Sequence, residues 1–179
     1  MAVTNPVGAT PHPLVDLEHE LDAPPWLRVE STLMATANAI HRAYDARLAE
    51  LGLTLSLASL LSYVADFGPV NQTRTAEHLG QGRAVTGTQV DRLEGCGWVE
   101  RRPDPADRRV WLVAITPTGA EIAAEIAEID RVLRAELRDG ISRADRQTLA
   151  ATLVRLQQNV HRSLDASNPT ISTPTGDPE

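Results

Sequence analysis

The sequence predicts a mainly α-helical protein with one small β-hairpin. Apolar residues recur at spacings of three, four and seven over most of the chain, which is the periodicity of amphipathic helices. Only two neighbouring runs, 98–102 and 110–115, favour strands instead. Hydrophobic residues make up 42% of the chain and aromatic residues only 3%, and a core of Ala, Leu, Val and Ile suits helices better than an all-β sandwich.

The two ends of the chain differ in composition from the middle. Residues 1–23 predict a flexible acidic arm, and residues 166–179, with three prolines, predict a disordered tail. No basic region followed by an apolar stretch opens the chain, and no apolar run approaches the roughly 18 to 20 residues of a membrane span. The single cysteine, Cys96, leaves no internal disulfide. We therefore expect a soluble cytoplasmic protein with no membrane partner.

Two helices are predicted before residue 70. The first occupies 24–52: Pro24 and Pro25 open an apolar pattern that Gly52 ends as a C-terminal cap. Thr54 or Ser56 can cap the second helix, which the pair at 68–69 (Gly-Pro) closes.

Two short helices joined by a tight turn are predicted next. Asn71 to Thr73 offer caps for a third helix ending near Leu79, residues 80–82 form the turn, and a fourth helix spans about Arg83 to Glu94. This pattern is typical of a helix-turn-helix, whose second helix enters the major groove of DNA while the first crosses the backbone. An ordinary helical corner with a solvated polar face would show the same pattern.

The fourth helix supplies the candidate base-reading face. We expect the buried face of the helix-turn-helix to be supplied by Leu79, Val85, Val90 and Leu93. We expect small or polar residues on the exposed side, facing DNA: Arg83, Ala84, Thr86, Gly87, Thr88 and Gln89. Arg and Gln suit bidentate contacts with guanine and adenine, and a Thr methyl group suits thymine. Three more arginines of this segment are assigned to DNA binding: Arg74, Arg92 and Arg101.

The two strand-like runs flank a turn-forming stretch, RPDPADRR, and so predict a hairpin. Its tip carries Arg108 and Arg109, and paired arginines beside a recognition helix suit the minor groove, where negative potential attracts guanidinium groups. We expect Asp107 to hold one of them by an ion pair. A merely solvated charged turn is the alternative. With the preceding helices, this hairpin predicts a winged helix-turn-helix domain at 53–116.

The net charge of −7 at first argues against a nucleic-acid partner. The charge is unevenly distributed, however, because residues 71–109 hold seven arginines and six acidic residues, a net of +1, which leaves −8 for the rest. All 17 basic residues are arginine, a group that binds phosphate bidentately.

The C-terminal third predicts two more helices. Thr116 and Pro117 start a long helix that Gly140 ends, and Ser142 with Asp145 forms a capping pair for the last. A lone winged domain would not need these apolar stripes, so 24–52 and 117–165 are predicted to be dimerisation helices. Closure of the stripes on one another within a monomer is the alternative.

The run VDRLEGCGWVERRPDPADRRVWLVAITPTG resembles the signature of the MarR family of bacterial winged-helix regulators, and the run from Leu53 to Gly80 fits the same register. The resemblance covers roughly Trp26 to Leu164. It implies a homodimer whose terminal helices pack together and whose winged domains read palindromic double-stranded DNA. It also implies that Arg109 is the minor-groove probe and Asp107 its organiser.

The departures from the family pattern lie in the recognition helix. Gly82, Ala84 and Val85 stand where family members commonly have Ser, Ser and Thr, so the usual cap and some phosphate-binding hydroxyl groups are missing. Gly87 should also loosen the helix by up to about 1 kcal/mol relative to alanine.

The resemblance further implies a small aromatic or anionic effector as a candidate partner, bound between the dimer helices and the winged domain. The candidate residues are amphipathic side chains of the first two helices: Trp26, His41, Tyr44 and Tyr63. A core or interface position is the alternative for each of them.

No catalytic or metal-binding motif is apparent. The histidines are scattered, Cys96 has no second cysteine near it, and neither G-x-S-x-G nor a dinucleotide-binding loop is present. We expect a non-enzymatic protein without cofactor or metal, in which Cys96 is structural or neutral. The function predicted is a DNA-binding transcription regulator, a repressor that an effector releases. A winged-helix module for protein interaction is the alternative.

Overall fold

A computed structural model of the chain describes residues 28–166. It contains six α-helices and three short strands: α1 (Val29–Leu48), α2 (Leu55–Phe67), β1 (Val70–Asn71), α3 (Gln72–His78), α4 (Arg83–Gly95), β2 (Val99–Pro103), β3 (Trp111–Ile115), α5 (Pro117–Leu137) and α6 (Arg143–Ala166). The mainly α prediction with one small hairpin is confirmed. The predicted acidic arm, Trp26 and the tail beyond Ala166 lie outside the described residues. The chain divides after Leu133 into two compact units, which are described separately.

The core of the first unit is built around α2. Leu57, Leu60, Leu61 and Val64 are fully or almost fully buried, because these positions recur at helical spacing on one side of the helix. Side chains from α1, α4, the hairpin and α5 complete the same apolar cluster, which includes Leu48, Val90, Leu93, Val99, Val113 and Ile126. The recognition elements described below are therefore fixed to a single core.

The boundary between α1 and α2 follows the sequence prediction. A 3-10 turn (Ala49–Leu51) ends α1, and Gly52 takes the left-handed conformation, with φ 68°, that closes a helix. Thr54 is the N-cap of α2, and its hydroxyl oxygen accepts from the backbone N–H of Leu57. Asp45 of α1 accepts from the N–H of Leu55 at 2.7 Å, which fastens the two helices together.

Strand β1 was not predicted from the sequence. Its two residues pair antiparallel with β3, Val70 with Val113 and Asn71 with Leu112, and the sheet order is β1-β3-β2. A run of only two residues directly after the Gly-Pro pair is too short to show the alternation that indicates a strand. The pairing connects the start of α3 to the hairpin, and so fixes the helix-turn-helix relative to the wing.

The root of the hairpin is bound tightly to the start of α5. The N–H of Thr116 donates to the carbonyl of Trp98 at 3.0 Å, and its hydroxyl donates to the carbonyl of Gly97 at 2.7 Å. The same hydroxyl oxygen accepts from the N–H of Gly119 at 3.0 Å and so caps α5, with Pro117 as the first helical residue. The start of α5 at 116–118 is confirmed.

Part of the apolar stripe of α5 packs within the monomer. Ile126 and Leu133 are buried in the first unit, with Ile122 and Ile129 half-buried against its core. The hydroxyl of Tyr44 on α1 donates to Asp130 at 2.8 Å. This part of the predicted dimerisation helix therefore packs against the core of its own chain.

The second unit consists of the end of α5, a turn and α6. Gly140 has φ 71°, as a helix-ending glycine requires. Ser142 accepts from the N–H of Asp145 at 3.1 Å and donates to its carboxylate at 2.6 Å, so the capping pair is confirmed. No side chain of α6 is buried.

Candidate nucleic-acid interface

Helices α3 and α4 form the helix-turn-helix. The side chain of Asn71 caps α3 by accepting from the N–H of Arg74 at 2.8 Å. Gly80, with φ 62°, makes the turn, and the N–H of Gln81 closes it onto the carbonyl of Ala76 at 2.9 Å. Ala76 is almost fully buried where the two helices meet, and its small side chain allows them to approach closely. The turn was correctly predicted at 80–82.

The predicted orientation of α4 is wrong at two adjacent residues. Thr86, expected to face DNA, is 0% exposed, whereas Val85, expected in the core, is 54% exposed. Buried positions 86, 90 and 93 are spaced by four and three, so the stripe that faces the core contains Thr86 and excludes Val85. The Thr86 hydroxyl donates to the carbonyl of Gly82 at 3.3 Å, which allows the group to be buried.

Gly87 and Gln89 are half-buried and lie against other helices. A Cβ on Gly87 would stand 3.0 Å from the side-chain amide nitrogen of Gln72, so this glycine permits close contact with α3. The amide nitrogen of Gln89 donates to the hydroxyl oxygen of Ser56 at 2.6 Å, and that of Gln81 donates to the same oxygen at 2.9 Å. This shared hydroxyl ties the turn and α4 to α2. Both glutamines therefore position the helix, and Gly87 and Gln89, expected to face bases, lie against α3 and α2 instead.

The other residues expected on the exposed side of α4 are accessible. Arg83, Ala84 and Thr88 are exposed, and Arg74 is exposed on α3. The Thr88 hydroxyl donates to the carbonyl of Ala84 at 3.2 Å. These three exposed residues of α4 and Val85 lie in the first half of the helix. This is the part that a helix-turn-helix directs towards the base edges.

Two of the arginines assigned to DNA binding are engaged inside the protein. Arg92 donates to the carbonyl of Gly52 at 3.1 Å. Arg101 is only 27% exposed in its side chain; its guanidinium pairs with Asp91 at 2.6 Å and also with Glu94. Burial disfavours the charged form of Arg101, but hydrogen bonds to the two carboxylates outweigh burial and raise its pKa above the ordinary value. Arg101 thus clasps β2 to α4 instead of facing DNA.

The wing tip is held by backbone hydrogen bonds. The N–H of Asp104 donates to the carbonyl of Val110 at 2.8 Å, and the carboxylate of Asp107 accepts from the backbone N–H of Arg109 at 3.0 Å. Asp107 therefore organises the turn as an Asx motif, and the ion pair expected with an arginine side chain is not what holds it. Arg108 and Arg109 are exposed, and neither has an ion-pair partner within residues 28–166.

The effector candidates lie in separate environments. His41 is paired with Asp45 at 3.2 Å on the surface of α1, and Tyr44 is bound to Asp130. Tyr63 stacks on His78 with ring centroids 4.4 Å apart and contacts Phe67, a residue that is 61% exposed. Trp26 lies outside the described residues.

Tyr63 borders an open groove of about 900 Å³ between the end of α2, α3 and the distal half of the hairpin. Aromatic side chains and charged groups of both signs line it: Tyr63, Phe67, His78, Arg74, Glu77 and Asp104. Sequence reasoning selected Tyr63 and missed Phe67 and His78. The packing of α3 against α2 brings His78 beside Tyr63 and Phe67, a tertiary contact that no local sequence pattern indicates.

Other kinds of site find no support among residues 28–166. No cluster of three His, Cys, Asp or Glu side chains in that range is arranged to hold a metal ion. Cys96 is exposed in the turn after α4. No single helix in the range is long and apolar enough to cross a membrane, although α1 and α2 taken together, bent by 72°, reach that length and composition.

Comparison with known proteins agrees with this geometry. The family model of the MarR family matches residues 51–110. The uncharacterized HTH-type transcriptional regulator YdgJ of Bacillus subtilis is 27% identical over 111 residues, which cover 62% of this chain and 67% of YdgJ.

Two solved structures share the fold. The transcriptional repressor CouR, bound to a 23-mer DNA duplex, is 24% identical, with a TM-score of 0.67 over 72% of this chain and 92% of CouR. BpsR of Bordetella bronchiseptica, whose DNA binding is regulated by 6-hydroxynicotinic acid, is 19% identical, with a TM-score of 0.69 over 75% of this chain and 96% of BpsR.

The helix-turn-helix and the hairpin clasped beside it define a winged helix-turn-helix protein. Residues 51–110, which contain most of this recognition unit, match the MarR family of transcription regulators.

Proposed function

We propose that the protein is a repressor that binds a palindromic operator as a homodimer, with α4 in the major groove and the wing tip in the minor groove. One observation carries the proposal. Six arginines of the segment 71–109 are exposed, and the guanidinium groups of five of them have neither an ion pair nor a hydrogen bond among residues 28–166: Arg74, Arg83, Arg102, Arg108 and Arg109. Such guanidinium groups suit phosphate and groove contacts. The complex of CouR with DNA is consistent with this use of the fold.

The homodimer is supported by exposed apolar side chains on the terminal helices. In α6 these are Leu149, Val154, Val160 and Leu164, and in α1 they are Val29 and Met34. A helix with an exposed apolar stripe gains stability when a partner covers it. A second copy of the chain is the partner that DNA reading favours, because a palindrome presents two half-sites about 34 Å apart that a two-fold dimer matches.

Regulation by a small planar aromatic compound is supported by the groove beside Tyr63. Phe67 is exposed next to the Tyr63–His78 stack, which offers a surface for further stacking. Arg74 borders the groove and is also one of the five arginines named above. A ligand that binds Arg74 would therefore compete with its DNA contact. BpsR, which responds to 6-hydroxynicotinic acid, is consistent with such regulation.

The main test is selection of duplex DNA from a randomised pool by the purified full chain, followed by affinity measurement over a range of salt concentrations. A DNA reader should enrich a palindromic sequence, and its affinity should fall steeply with salt, with a slope of about −0.9 per phosphate contact in logarithmic terms. Arg109→Ala should weaken binding by about 1 to 3 kcal/mol if it probes the minor groove. The matched control is Arg131→Ala, whose arginine is exposed on α5, pairs with Glu128 and lies outside the proposed interface.

Failure to enrich any sequence, even at low salt, would contradict DNA reading and favour the protein-interaction module. The dimer is tested separately by the mass in solution at micromolar concentration, and a monomeric mass would contradict it. For the groove, Phe67→Ala should abolish the release of DNA by an aromatic acid such as 6-hydroxynicotinic acid while leaving DNA affinity itself unchanged. Equal release from both proteins would place the effector site elsewhere.

A further inference from the structure

The exposed face of α4 is defined by positions 84, 85, 88, 91 and 92, which recur at spacings of one, four, seven and eight. Its C-terminal half is occupied by internal contacts. Asp91 is paired with Arg101, and Arg92 donates to the carbonyl of Gly52. The N-terminal half, formed by Ala84, Val85 and Thr88, is the part that a recognition helix presents to base edges.

This N-terminal half is rich in methyl groups. Val85 is its largest apolar side chain and is 54% exposed, and Ala84 beside it is exposed as well. The hydroxyl of Thr88 already donates to the carbonyl of Ala84, and that of Thr86 donates to Gly82 within the helix. Gly82, the N-cap residue, provides no side-chain cap. In this half of the face, hydroxyl donors are therefore scarce and aliphatic surface is plentiful.

A single exposed valine elsewhere on a protein would need no explanation. In the first turn of a recognition helix it faces the floor of the major groove. There, thymine is the one base that presents a methyl group, while the other base edges offer hydrogen-bonding atoms that valine cannot satisfy. Opposite any other base, Val85 would remove water from polar atoms without replacing their hydrogen bonds.

Resting on the DNA binding proposed above, we infer that Val85 is a specificity-determining residue that packs against the 5-methyl group of a thymine in each half-site. One methyl contact contributes about a three- to fivefold change in affinity, by the transfer free energy of a buried methylene group. Loss of the contact in both half-sites should weaken binding by about tenfold or more.

The test replaces each thymine of the selected duplex by deoxyuridine, one position at a time and symmetrically in both half-sites. This change removes the methyl group and leaves every hydrogen-bonding atom in place. The unmodified protein should show one thymine per half-site whose replacement weakens binding by about tenfold. Val85→Ala should bind the thymine and deoxyuridine duplexes with equal affinity. Its melting temperature, compared with that of the unmodified chain, verifies that it folds.

Thr88→Ser is the matched control, because it removes a methyl group from the same face and retains the hydroxyl that bonds to Ala84. It should preserve the discrimination between thymine and deoxyuridine. If Thr88→Ser abolishes discrimination and Val85→Ala does not, the inference is wrong. An enriched duplex with no position sensitive to deoxyuridine overturns the inference and leaves the proposed DNA binding intact. Failure to enrich any duplex contradicts both.

Discussion

Gly119 provides a direct test of how the wing is joined to α5. A Cβ atom placed on Gly119 would stand 1.9 Å from the carbonyl oxygen of Trp98, which is backbone and cannot rotate away. To reach a separation of 3.0 Å, the helix start or the strand must move by roughly 1 Å. That oxygen also accepts from the N–H of Thr116, the residue that caps α5, so movement disturbs the capping arrangement as well.

The magnitude of a Gly119→Ala substitution follows from these contacts. Two or three disrupted hydrogen bonds cost about 0.5 to 1.5 kcal/mol each, and overpacking adds about 1 to 3 kcal/mol. Helix propensity returns about 1 kcal/mol, because alanine is favoured over glycine in a helix. We therefore expect the free energy of unfolding to fall by about 1 to 6.5 kcal/mol.

Urea denaturation followed by circular dichroism measures this change, with all variants at one protein concentration because a dimer would couple stability to concentration. Gly95→Ala is the matched control, since nothing lies within 4 Å of the added Cβ near the end of α4. It should leave stability unchanged or raise it by up to about 1 kcal/mol. If Gly119→Ala is as stable as Gly95→Ala, the close approach of α5 to the wing root is refuted.

Two further predictions concern charged groups. Arg101→Gln should lower stability by about 1 to 2 kcal/mol, a range already reduced for the solvent exposure of its two partners, and should weaken DNA binding because the wing loses its clasp to α4. The slope of affinity against salt should stay the same, whereas loss of a true phosphate contact would reduce it by about one. Glu128 is exposed, and its hydrogen bond to Arg131 holds the pKa of its carboxyl below the ordinary 4.5. The stabilisation is present above pH 4.5 and lost as the pH falls through the folded-state pKa, so unfolding curves of Glu128→Gln and the unmodified chain should converge in acid; a constant difference would contradict this.

Local backbone signals explain why the helix boundaries could be predicted. Gly52 and Gly140 end helices through left-handed backbone that other residues avoid, and Thr54, Asn71 and Ser142 accept the first free N–H groups. Each of these effects involves residues no more than four positions apart. The sequence therefore contains both partners of the interaction.

The orientation of α4 could not be predicted in the same way. Valine is more hydrophobic than threonine, so composition assigned Val85 to the core and Thr86 to the surface. The packing of α4 against the rest of the domain reverses this order, because the buried stripe passes through position 86 and the Thr86 hydroxyl can be satisfied by Gly82. The correct orientation follows only from the spacing of positions 86, 90 and 93, which lie on one side of the helix and face the core.

The positions of the arginines resolve the apparent conflict between an acidic chain and a DNA partner. Residues 71–109 carry a net charge of +1 and the remainder −8. Within the segment, Asp91 and Glu94 are held by Arg101 near the end of α4, whereas Arg83 lies at the start of that helix and Arg108 and Arg109 lie at the wing tip. Interactions between exposed charges more than about 10 Å apart are largely screened at 0.1 M salt, so the local charge of the recognition segment matters more to a bound phosphate than the net charge of the whole chain. At lower salt the repulsion from the acidic remainder extends further, and it should flatten the rise in affinity that phosphate contacts alone would produce.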